Sequence, residues 1–584
     1  MSVTITRRAI SDETSSHSLA GNLPSLLKRI YLSRGVSDDK ELQRSLKNLE
    51  SWQSLKGISE AAALMADAVI SGQRILIVGD FDADGATSSA LGTLALRAMG
   101  AAWVDFLVPN RFEYGYGLSP DIVEVAKNSR PDLLVTVDNG ISSIEGVKAA
   151  KEAGIKVLIT DHHLAGEVLP EADAIVNPNQ PGCEFPCKST AGVGVIFYVL
   201  CALRTELDRR GWFVPPREKP NMASFLDLVA LGTVADVVGL DSNNRIFVHQ
   251  GIGRIRAGKA RPGILALAEV SRRDPARLAA PDLGFALAPR LNAAGRLDDM
   301  SLGIELLITE DPNHARHLAS QLDGLNQERR DIEDSMKEEA LRDLARLKLD
   351  NTVDGNTNAL PWGVCLFQDD WHQGVIGILA SRVKEKMHRP VIAFAPGNES
   401  EIKGSARSIP GFHIRDALEA ISTKFPGLIL KFGGHAMAAG LSLKEKDYQT
   451  FSDAFDQEAR RLLVKAQLEA SLMTDGELSL TDLNLDTAEM LREAGPWGQN
   501  FPEPVFDGVF DLQEQRLLGG KHLKMMVVPE QGSDWIDGIC FNVDSRRWPD
   551  TSVRKVRLVY RLDVNEFRGR RSVQLMIEHL EPLS

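Results

Sequence analysis

Short apolar runs alternate with amphipathic stretches in the first half of the chain. The runs RILIVG (74–79), DLLVTV (132–137) and KVLIT (156–160) contain five or six residues and are rich in valine, isoleucine and leucine. Such runs are typical of strands that are buried on both faces of a parallel sheet. The stretches 86–99 and 141–153 between them show helical spacing. The pattern therefore predicts an α/β domain with a doubly wound parallel sheet.

A long helix is predicted near the middle of the chain. It begins at Asp311-Pro312, where an N-cap residue precedes a proline at the first helical position. Apolar residues then recur at roughly helical spacing with charges between them, at Leu318, Leu322, Leu325, Ile332, Met336, Leu341 and Leu344. The polar stretch 351–358 ends the pattern. We expect a connecting helix of about 35 residues, roughly 50 Å long.

Two further patterns follow this helix. WGVCLF and PVIAFAP resemble a second, smaller α/β domain, and HLKMMVV, VRLVYRLDV and SVQLMIEHL predict a small all-β barrel. The predicted organisation is an N-terminal segment packing on the core (1–50), the doubly wound domain (51–265), a linker with the long helix (266–350), the second α/β domain (351–465) and the barrel (466–584).

Composition excludes some classes of protein. The chain has 584 residues, of which 43% are hydrophobic and 25% charged, as in ordinary globular proteins. Its longest apolar run, 193–203, is shorter than the roughly 20 residues that cross a bilayer, so we expect no transmembrane helix and no membrane partner. The N-terminal stretch MSVTITRRAISDETSS has no apolar segment after its arginines, unlike a secretory signal. A cytoplasmic location is expected.

Cysteine count and net charge add little. Five cysteines, an odd number, favour a reducing compartment, and Cys183 and Cys187 lack the second ligand pair that a structural zinc site needs. The net charge of −13 is a weak argument against a nucleic-acid partner, because phosphate binding depends on a local basic surface.

Potential metal ligands follow three consecutive predicted strands. The first strand is followed by Asp80, Asp82 and Asp84, the second by Asp138, and the third by Asp161, His162 and His163. One such cluster would fit a turn or a helix N-cap equally well. Because the carboxyl ends of parallel strands form the ligand crevice of an open sheet, three clusters predict a common site.

The chemistry of these side chains points to phosphoester hydrolysis. Carboxylates with imidazole suit Mn²⁺ or Mg²⁺ better than zinc. Several aspartates can hold two ions about 3.5–4 Å apart, an arrangement that activates a hydroxide and stabilises the leaving oxygen. Asp236, in DLVALGTVADVVGL, is a candidate final ligand, although its spacing alone equally fits a charge near a helix end.

Candidate phosphate-binding groups occur outside these clusters. GSARS and GGHAMAAG combine glycines with Arg407 and His435, which suits anion binding ahead of a helix start and suits tight turns equally well. Arg111 lies beside Tyr114 and Tyr116, which could stack on bases or simply pack. In the predicted barrel, basic residues fit an oligonucleotide-binding fold or a solvated strand face, at Arg554, Lys555, Arg557, Arg568, Arg570 and Arg571, with Phe567 among them.

The chain resembles a known enzyme family over essentially its whole length. VGDFDADGATS, VTVDNGIS, TDHH and LVALGTVADVVGL are similar, in order, to the four motifs of DHH phosphoesterases. PRLNAAGRLDD, WHQGVIGILASR and KFGGHAMAAG further resemble the single-strand exonucleases of that family. The resemblance implies a DHH domain, a DHHA1-type second α/β domain and an OB-like barrel. GSARS departs from the family at Ala406, where glycine is common, and alanine would be strained if a positive φ were needed.

The resemblance also implies roles for single residues. The implied metal ligands are Asp80, Asp82, Asp84, Asp138, His162 and Asp236. Asp84, Asp138, His162 and His163 would be catalytic, with His163 facing the substrate phosphate and Asp161 orienting His162. The implied substrate-binding residues are Arg111, Arg290, Asn292, Arg296, Ser405, Arg407, Gly433, Gly434 and His435.

The implied activity is processive 5′→3′ release of 5′-mononucleotides from single-stranded DNA with two Mn²⁺ or Mg²⁺ ions. Implied partners are single-strand-binding protein and the helicases of recombination and mismatch repair, and the enzyme itself is expected to be a monomer.

The sequence also has alternative interpretations. A DHH phosphodiesterase for short oligonucleotides or cyclic dinucleotides is one alternative, but such enzymes typically lack the β domain. A non-catalytic DNA-binding scaffold would have lost ligands that are present here, and a pyrophosphatase would not need so long a chain.

Overall fold

The computed structural model describes residues 3–10, 19, 23–110, 117–353, 361–398, 400–469, 471–567 and 569–583. Two compact units divide the chain. The smaller unit comprises residues 1–6 and 324–472, and the larger unit comprises residues 7–323 and 473–584.

The three apolar runs that the sequence pattern singled out form strands of the structure. In chain order the strands are β1 (Thr4–Arg7), β2 (Arg74–Gly79), β3 (Trp103–Leu107), β4 (Leu133–Val137), β5 (Lys156–Thr160), β6 (Ala174–Val176), β7 (Val364–Phe367), β8 (Val391–Pro396), β9 (Glu401–Arg407), β10 (Lys431–Gly434), β11 (Ala438–Lys444), β12 (Ser471–Thr474), β13 (Phe506–Leu518), β14 (His522–Pro529), β15 (Ile536–Cys540), β16 (Lys555–Phe567) and β17 (Arg570–Leu583). β1 and β12 pair with each other.

The central sheet of the larger unit is parallel, as the sequence predicts. Among the described residues its strand order is β3-β2-β4-β5-β6, and every pairing is parallel. Every residue of β4 is buried, because helices cover both faces. Strand order reverses between β2 and β4, so the carboxyl ends of these strands border the crevice in which open α/β sheets bind ligands.

Several helices of the larger unit begin at residues with capping side chains. Asp82 caps Ala83–Ala98, Ser119 caps Pro120–Lys127 and Asp241 caps Ser242–Arg256. The remaining helices here are Ser25–Leu32, Ile58–Ile70, Ile144–Glu152, Gly192–Arg209, Leu226–Ala235, Pro262–Val270, Ala280–Asp282, Ala288–Leu297, Ser301–Ile308 and Leu485–Ala494. A π-helical turn, Leu283–Leu287, joins the helices Ala280–Asp282 and Ala288–Leu297.

The long helix is confirmed and extends further than predicted. It spans Pro312–Val353, a length of 42 residues. The polar stretch after residue 350 continues the helix for three residues, because residues 351–353 include no proline or glycine and polar side chains do not by themselves end a helix. None of the described helices is long and apolar enough to cross a membrane.

The smaller unit is an α/β domain with a mixed sheet. Its described strands have the order β10-β11-β9-β8-β7, with β7 and β8 parallel and the others antiparallel. Its helices are Ile376–Met387, Ile414–Lys424 and Tyr448–Leu462. The GSARS stretch is not a loop but part of β9, where Ala406 is buried and pairs with Ala439. Ala406 has no positive φ, so the expected strain is absent.

The C-terminal strands form the predicted barrel. Among the described residues it closes in the order β13-β14-β15-β17-β16. The rings of Phe506 and Phe510 are buried and pack against the ring of Tyr560 in its core. Of the barrel arginines, Arg571 pairs with Glu489 and Arg557 pairs with Asp507, while Arg568 lies outside the described residues.

Candidate metal centre

The first acidic cluster is held in a tight turn between β2 and the following helix. Asp82 Oδ1 accepts hydrogen bonds from the backbone N–H groups of Asp84 and Gly85, at 2.9 and 3.0 Å. A Cβ atom at Gly85 would lie 2.4 Å from the carbonyl oxygen of Asp80, so only glycine lets the turn close. The turn places Asp80, Asp82 and Asp84 at the end of one strand.

Asp84 and Asp138 approach each other across the start of the helix Gly192–Arg209. Both carboxylate oxygens of Asp84 accept backbone hydrogen bonds, from Gly192 at 2.7 Å and from Val193 at 3.0 Å. Asp138 adopts a φ of 61°, a conformation that is uncommon outside glycine. A Cβ atom at Gly192 would lie 2.7 Å from that of Asp138. Strain and close packing together fix the Asp138 carboxylate in the crevice.

His162 lies between two carboxylates. Its Nε2 is 3.1 Å from Asp138 Oδ1 and 3.4 Å from Asp236 Oδ2. Asp236 ends the helix Leu226–Ala235, so the predicted final ligand does reach the crevice. Among the described residues, neither His162 Nε2 nor Asp236 Oδ2 takes part in a hydrogen bond, although both are buried. Buried polar atoms without partners suit metal ligands.

The ligand atoms fall into three overlapping groups. Within each group they lie within 4.8 Å of one another, and the groups are Asp138, His162 and His163, then Asp84, His162 and Asp236, and finally Asp80, Asp82 and Asp138. Shared members join these groups into one cluster of oxygen and imidazole donors. Such a donor set fits two divalent ions of the Mn²⁺ or Mg²⁺ type.

Asp161 differs from its expected role. Its Oδ1 lies 2.8 Å from Nδ1 of His163 and accepts the backbone N–H of His162 and of His163, while Oδ2 accepts the N–H of Ile141. The expectation that Asp161 orients the His162 ring is wrong, because the ring of His163 turns back onto the carboxylate and the ring of His162 points towards Asp138 and Asp236. Asp161 orients His163 instead.

Burial and mutual repulsion shift the pKa values of the cluster. Burial, with the charge of Asp82, raises the pKa of Asp84 to about 7, and burial with neighbouring carboxylates raises the pKa of Asp138 and of Asp236. Burial also lowers the pKa of His162 to about 4, so this ring is neutral near pH 7. Burial lowers the pKa of His163, but the hydrogen bond to Asp161 has the opposite effect, and the net result is a raised pKa. A neutral His162 can donate its lone pair to a metal.

We expect pH to affect metal binding and metal-free stability in opposite directions. The pKa of Asp84 rises from 3.8 to about 7 on folding, so between about pH 4 and 7 the folded state binds more protons. The metal-free protein therefore loses stability as pH rises through this window. Metal needs the carboxylate, so Mn²⁺ affinity rises over the same window. Calorimetric melting in the presence of a chelator would measure the stability of the metal-free protein at each pH, and Mn²⁺ titration would measure the metal affinity. The Asp84→Asn variant should show a weaker pH dependence of both quantities. Parallel trends would contradict the assignment.

Two asparagines that the sequence analysis missed support the histidines. Asn177 Nδ2 donates to the carbonyl oxygen of His163 at 2.9 Å, and Asn179 Nδ2 donates to that of His162 at 2.6 Å. Asn177 Oδ1 also accepts the N–H of Asn179. The stretch VNPN directly after β6 was the available signal, since a strand end beside the crevice carries it. The two asparagines therefore fix the backbone of His162 and His163 by hydrogen bonds to their carbonyl oxygens.

Replacing Asn179 by alanine should weaken metal binding without unfolding the protein. Loss of an outer support of a metal ligand typically lowers metal affinity by about 10- to 100-fold. Mn²⁺ titration of the purified variant would measure this loss, and thermal melting would report the fold. Asn221→Ala is a matched control, because Asn221 caps a short helical turn elsewhere in the same unit. Unchanged Mn²⁺ affinity in a folded Asn179→Ala variant would show that Asn179 has no positioning role.

The helix Ala288–Leu297 also borders the metal-binding turn. Asn292 Oδ1 accepts the N–H of Ala83 at 2.8 Å. Arg290 is buried, donating to Asp323 and to the carbonyl oxygen of Ala286, and Arg296 is half-buried near the end of the helix. Asn292 therefore supports the metal-binding turn, and Arg290 supports the π-helical turn through the carbonyl oxygen of Ala286. Their contact with substrate stays a prediction.

The smaller unit holds a separate candidate anion site. Arg407 donates to Ser405 Oγ at 3.1 Å and to the carbonyl oxygen of Ala406, and no carboxylate among the described residues forms an ion pair with it. Burial lowers its pKa. A Cβ atom at Gly377 would lie 2.9 Å from Arg407 Nη2, so the start of the helix Ile376–Met387 approaches this cation closely. A half-buried guanidinium beside a helix start suits a phosphate.

The other predicted phosphate contacts lie in the same sheet or outside the described residues. Gly433 and Gly434 belong to β10 and pair with Gly440 and Ala439. Gly434 has a φ of 148°, and the N–H of His435 donates to the carbonyl oxygen of Ala438. This glycine-rich stretch is therefore a hairpin and not a loop before a helix. Arg111, Tyr114 and Tyr116 lie outside the described residues.

Family models match three segments of the chain. They are the DHH family, N-terminal domain (residues 74–233), the DHHA1 domain (residues 361–461) and the RecJ OB domain (residues 474–579). The matches coincide with the parallel sheet, the mixed sheet and the barrel. The likeness that the sequence motifs suggested is confirmed for each of these segments.

Similar proteins span the whole chain. A single-stranded-DNA-specific exonuclease RecJ of Dickeya dadantii is 58% identical over 100% of both chains, and one of Salmonella typhimurium is 55% identical over 99% of both. The solved structure of RecJ in complex with Mn²⁺ from Thermus thermophilus has a TM-score of 0.77 at 28% identity, covering 96% of this chain and 76% of that one. This chain therefore belongs to the RecJ family of DHH proteins.

Proposed function

We propose that the protein is a metal-dependent exonuclease that degrades single-stranded DNA from its 5′ end and releases 5′-mononucleotides. The single observation that supports this most is the cluster of aspartates and His162 at the switch point of the sheet. Its donors fit two divalent ions, and solved structures of RecJ from Thermus thermophilus are complexes with Mn²⁺ and with Mg²⁺. Single-stranded DNA is the substrate named for those relatives.

Each group of the centre has a proposed task. When bound, the two ions would supply an activated hydroxide and charge stabilisation at the phosphorus. The residues that would hold them are Asp80, Asp82, Asp84, Asp138, His162 and Asp236. His163 would contact the scissile phosphate, because the bond of its Nδ1 to Asp161 fixes the direction of the ring at the crevice.

Strand polarity requires a group that recognises one end of the strand. Arg407 and Ser405 are the proposed binding groups for the terminal 5′-phosphate, with Arg111, Gly433, Gly434 and His435 as further candidates. A guanidinium without a carboxylate partner among the described residues is poised for an anionic ligand. Arg290, Asn292 and Arg296 are proposed to contact the strand near the metal turn.

One experiment tests the function. Purified protein with Mn²⁺ is incubated with single strands that carry a label at the 5′ or the 3′ end. We expect mononucleotides to appear at once from the 5′ label and only late from the 3′ label, and duplex DNA to persist. A preference for dinucleotides over long strands would favour the oligonucleotide phosphodiesterase, and binding without cleavage would favour the scaffold.

The cellular setting is also a proposal. The proposed processes are recombination and mismatch repair, in which single strands of DNA are degraded. The proposed location is the cytoplasm. Single-strand-binding protein and repair helicases are the proposed partners of a monomer. The proposed domain boundaries at residues 50, 265, 350 and 465 are consistent with the segments that the family models match.

A further inference from the structure

A mostly apolar groove lies in the larger unit beside the metal centre. It has a volume of about 330 Å³. Its walls come from the end of the helix Leu226–Ala235, the π-helical turn and residues 497–503. The residues that matter for its chemistry are Thr233, Val234, Val237, Phe285 and Trp497. Asp236, a metal ligand by the geometry above, directly precedes Val237 in the chain.

Two large apolar side chains in this groove, those of Phe285 and Val237, are mostly exposed to solvent. Phe285 is 84% exposed and Val237 is 63% exposed, whereas the neighbouring Leu283 and Leu287 are fully buried. An exposed aromatic ring beside a concave apolar wall is typical of a surface that binds a flat apolar group.

Backbone irregularities mark the same two residues. Val237 has a φ of 61°, which is a rare and strained conformation for a β-branched residue. Phe285 lies in the π-helical turn Leu283–Leu287, and single π turns within helices are frequent at functional sites. Two independent irregularities therefore place apolar side chains in one groove. Strain of this kind persists where it contributes to function.

The polar groups of the groove identify its ligand further. No lysine or arginine lines it among the described residues, and Glu503 at its edge pairs with Arg561. The groove is therefore unsuited to a phosphate. Thr233 is fully buried in the wall, and its hydroxyl has no hydrogen-bond partner among the described residues. That hydroxyl is closed off from solvent, so a ligand in the groove would contact apolar side chains and the exposed ring of Phe285.

We propose that this groove binds one nucleobase of the substrate strand, stacked on the exposed ring of Phe285. The inference rests on the proposed function, and its structural basis is that Val237 of the groove directly follows the proposed metal ligand Asp236. Aromatic stacking holds single strands without sequence preference, as an exonuclease requires. A base held here would keep the backbone in place while the next phosphodiester is hydrolysed.

The test compares Phe285→Ala with the parent enzyme on single strands, using Mn²⁺ and release of the first nucleotide. We expect kcat/KM to fall about tenfold, the loss typical of one stacked base, with kcat changed less than about twofold. Phe285→Trp should restore kcat/KM. Val214→Ala is the matched control, because Val214 is 52% exposed in the same unit but lies outside the groove.

A scan of the strand with single abasic sites supplies the decisive result. At one position the abasic strand should be degraded equally by the parent and by Phe285→Ala, because the base that stacks is missing in both. A loss that is the same at every position, or no loss on bare strands, overturns the proposal. The second outcome would instead favour a protein docking at Phe285. A parent enzyme without nuclease activity would contradict the proposed function itself, whereas an active parent with an unaffected variant contradicts only the stacking.

Discussion

Replacing His162 by alanine should lower nuclease activity by about three orders of magnitude or more and leave the fold intact. The imidazole lies 3.1 Å from Asp138 and 3.4 Å from Asp236, and its Nε2 has no hydrogen bond among the described residues. Its loss removes a metal ligand and with it several kcal/mol of transition-state stabilisation, at about 1.36 kcal/mol per tenfold in rate. The fold should survive, because that ring nitrogen serves no hydrogen bond within the described part of the chain.

The same experiment on Asp84 would be harder to interpret. Its carboxylate accepts the N–H groups of Gly192 and Val193, so alanine at this position leaves two buried donors without partners. His162→Ala separates metal binding from folding. Release of the first nucleotide, Mn²⁺ titration and thermal melting would be measured together, with His249→Ala as a histidine control outside the centre. Normal activity in a folded His162→Ala variant would remove His162 from the site, and a chelator should reproduce the variant in the parent enzyme.

Replacing Arg407 by alanine should lower activity by about 10- to 100-fold on strands with a 5′-phosphate and much less on strands with a 5′-hydroxyl. A charge-assisted hydrogen bond to phosphate contributes about 1.5–3 kcal/mol. The partners of Arg407 within the described residues are neutral, Ser405 Oγ and a carbonyl oxygen, so an anionic ligand would complete its bonding. The rate of release of the first nucleotide from each type of strand measures the difference.

Controls separate recognition from simple loss of charge. Arg407→Lys keeps the charge but not the planar fork, so it should recover only part of the discrimination between the two strands. Arg415→Ala removes an exposed arginine of the same unit and should behave as the parent enzyme. An equal loss on phosphorylated and hydroxylated strands would show that Arg407 contributes to general strand binding and not to recognition of the 5′ end.

The sequence alone determined the order of the elements and the place of the centre. Buried strands carry runs of branched residues, and helices carry their own spacing and caps, so both can be recognised from neighbours in the chain. The parallel sheet, the long helix and the barrel followed from these local signals. Strand ends of a parallel sheet meet at one edge, and for this reason Asp80, Asp138 and His162 could be assigned to one centre before any contact was known.

Only the tertiary structure decided which groups touch. Asp161 bonds to the ring of His163 and not to that of His162, because the direction of each ring depends on packing across the crevice. The supports Asn177 and Asn179 and the partner of Arg290 at Asp323 join residues far apart in sequence. The GSARS stretch is a strand, since pairing with β8 and β11 outweighs the local tendency of glycine and serine to form turns. Contacts of this kind depend on the whole packed chain, and no local pattern encodes them.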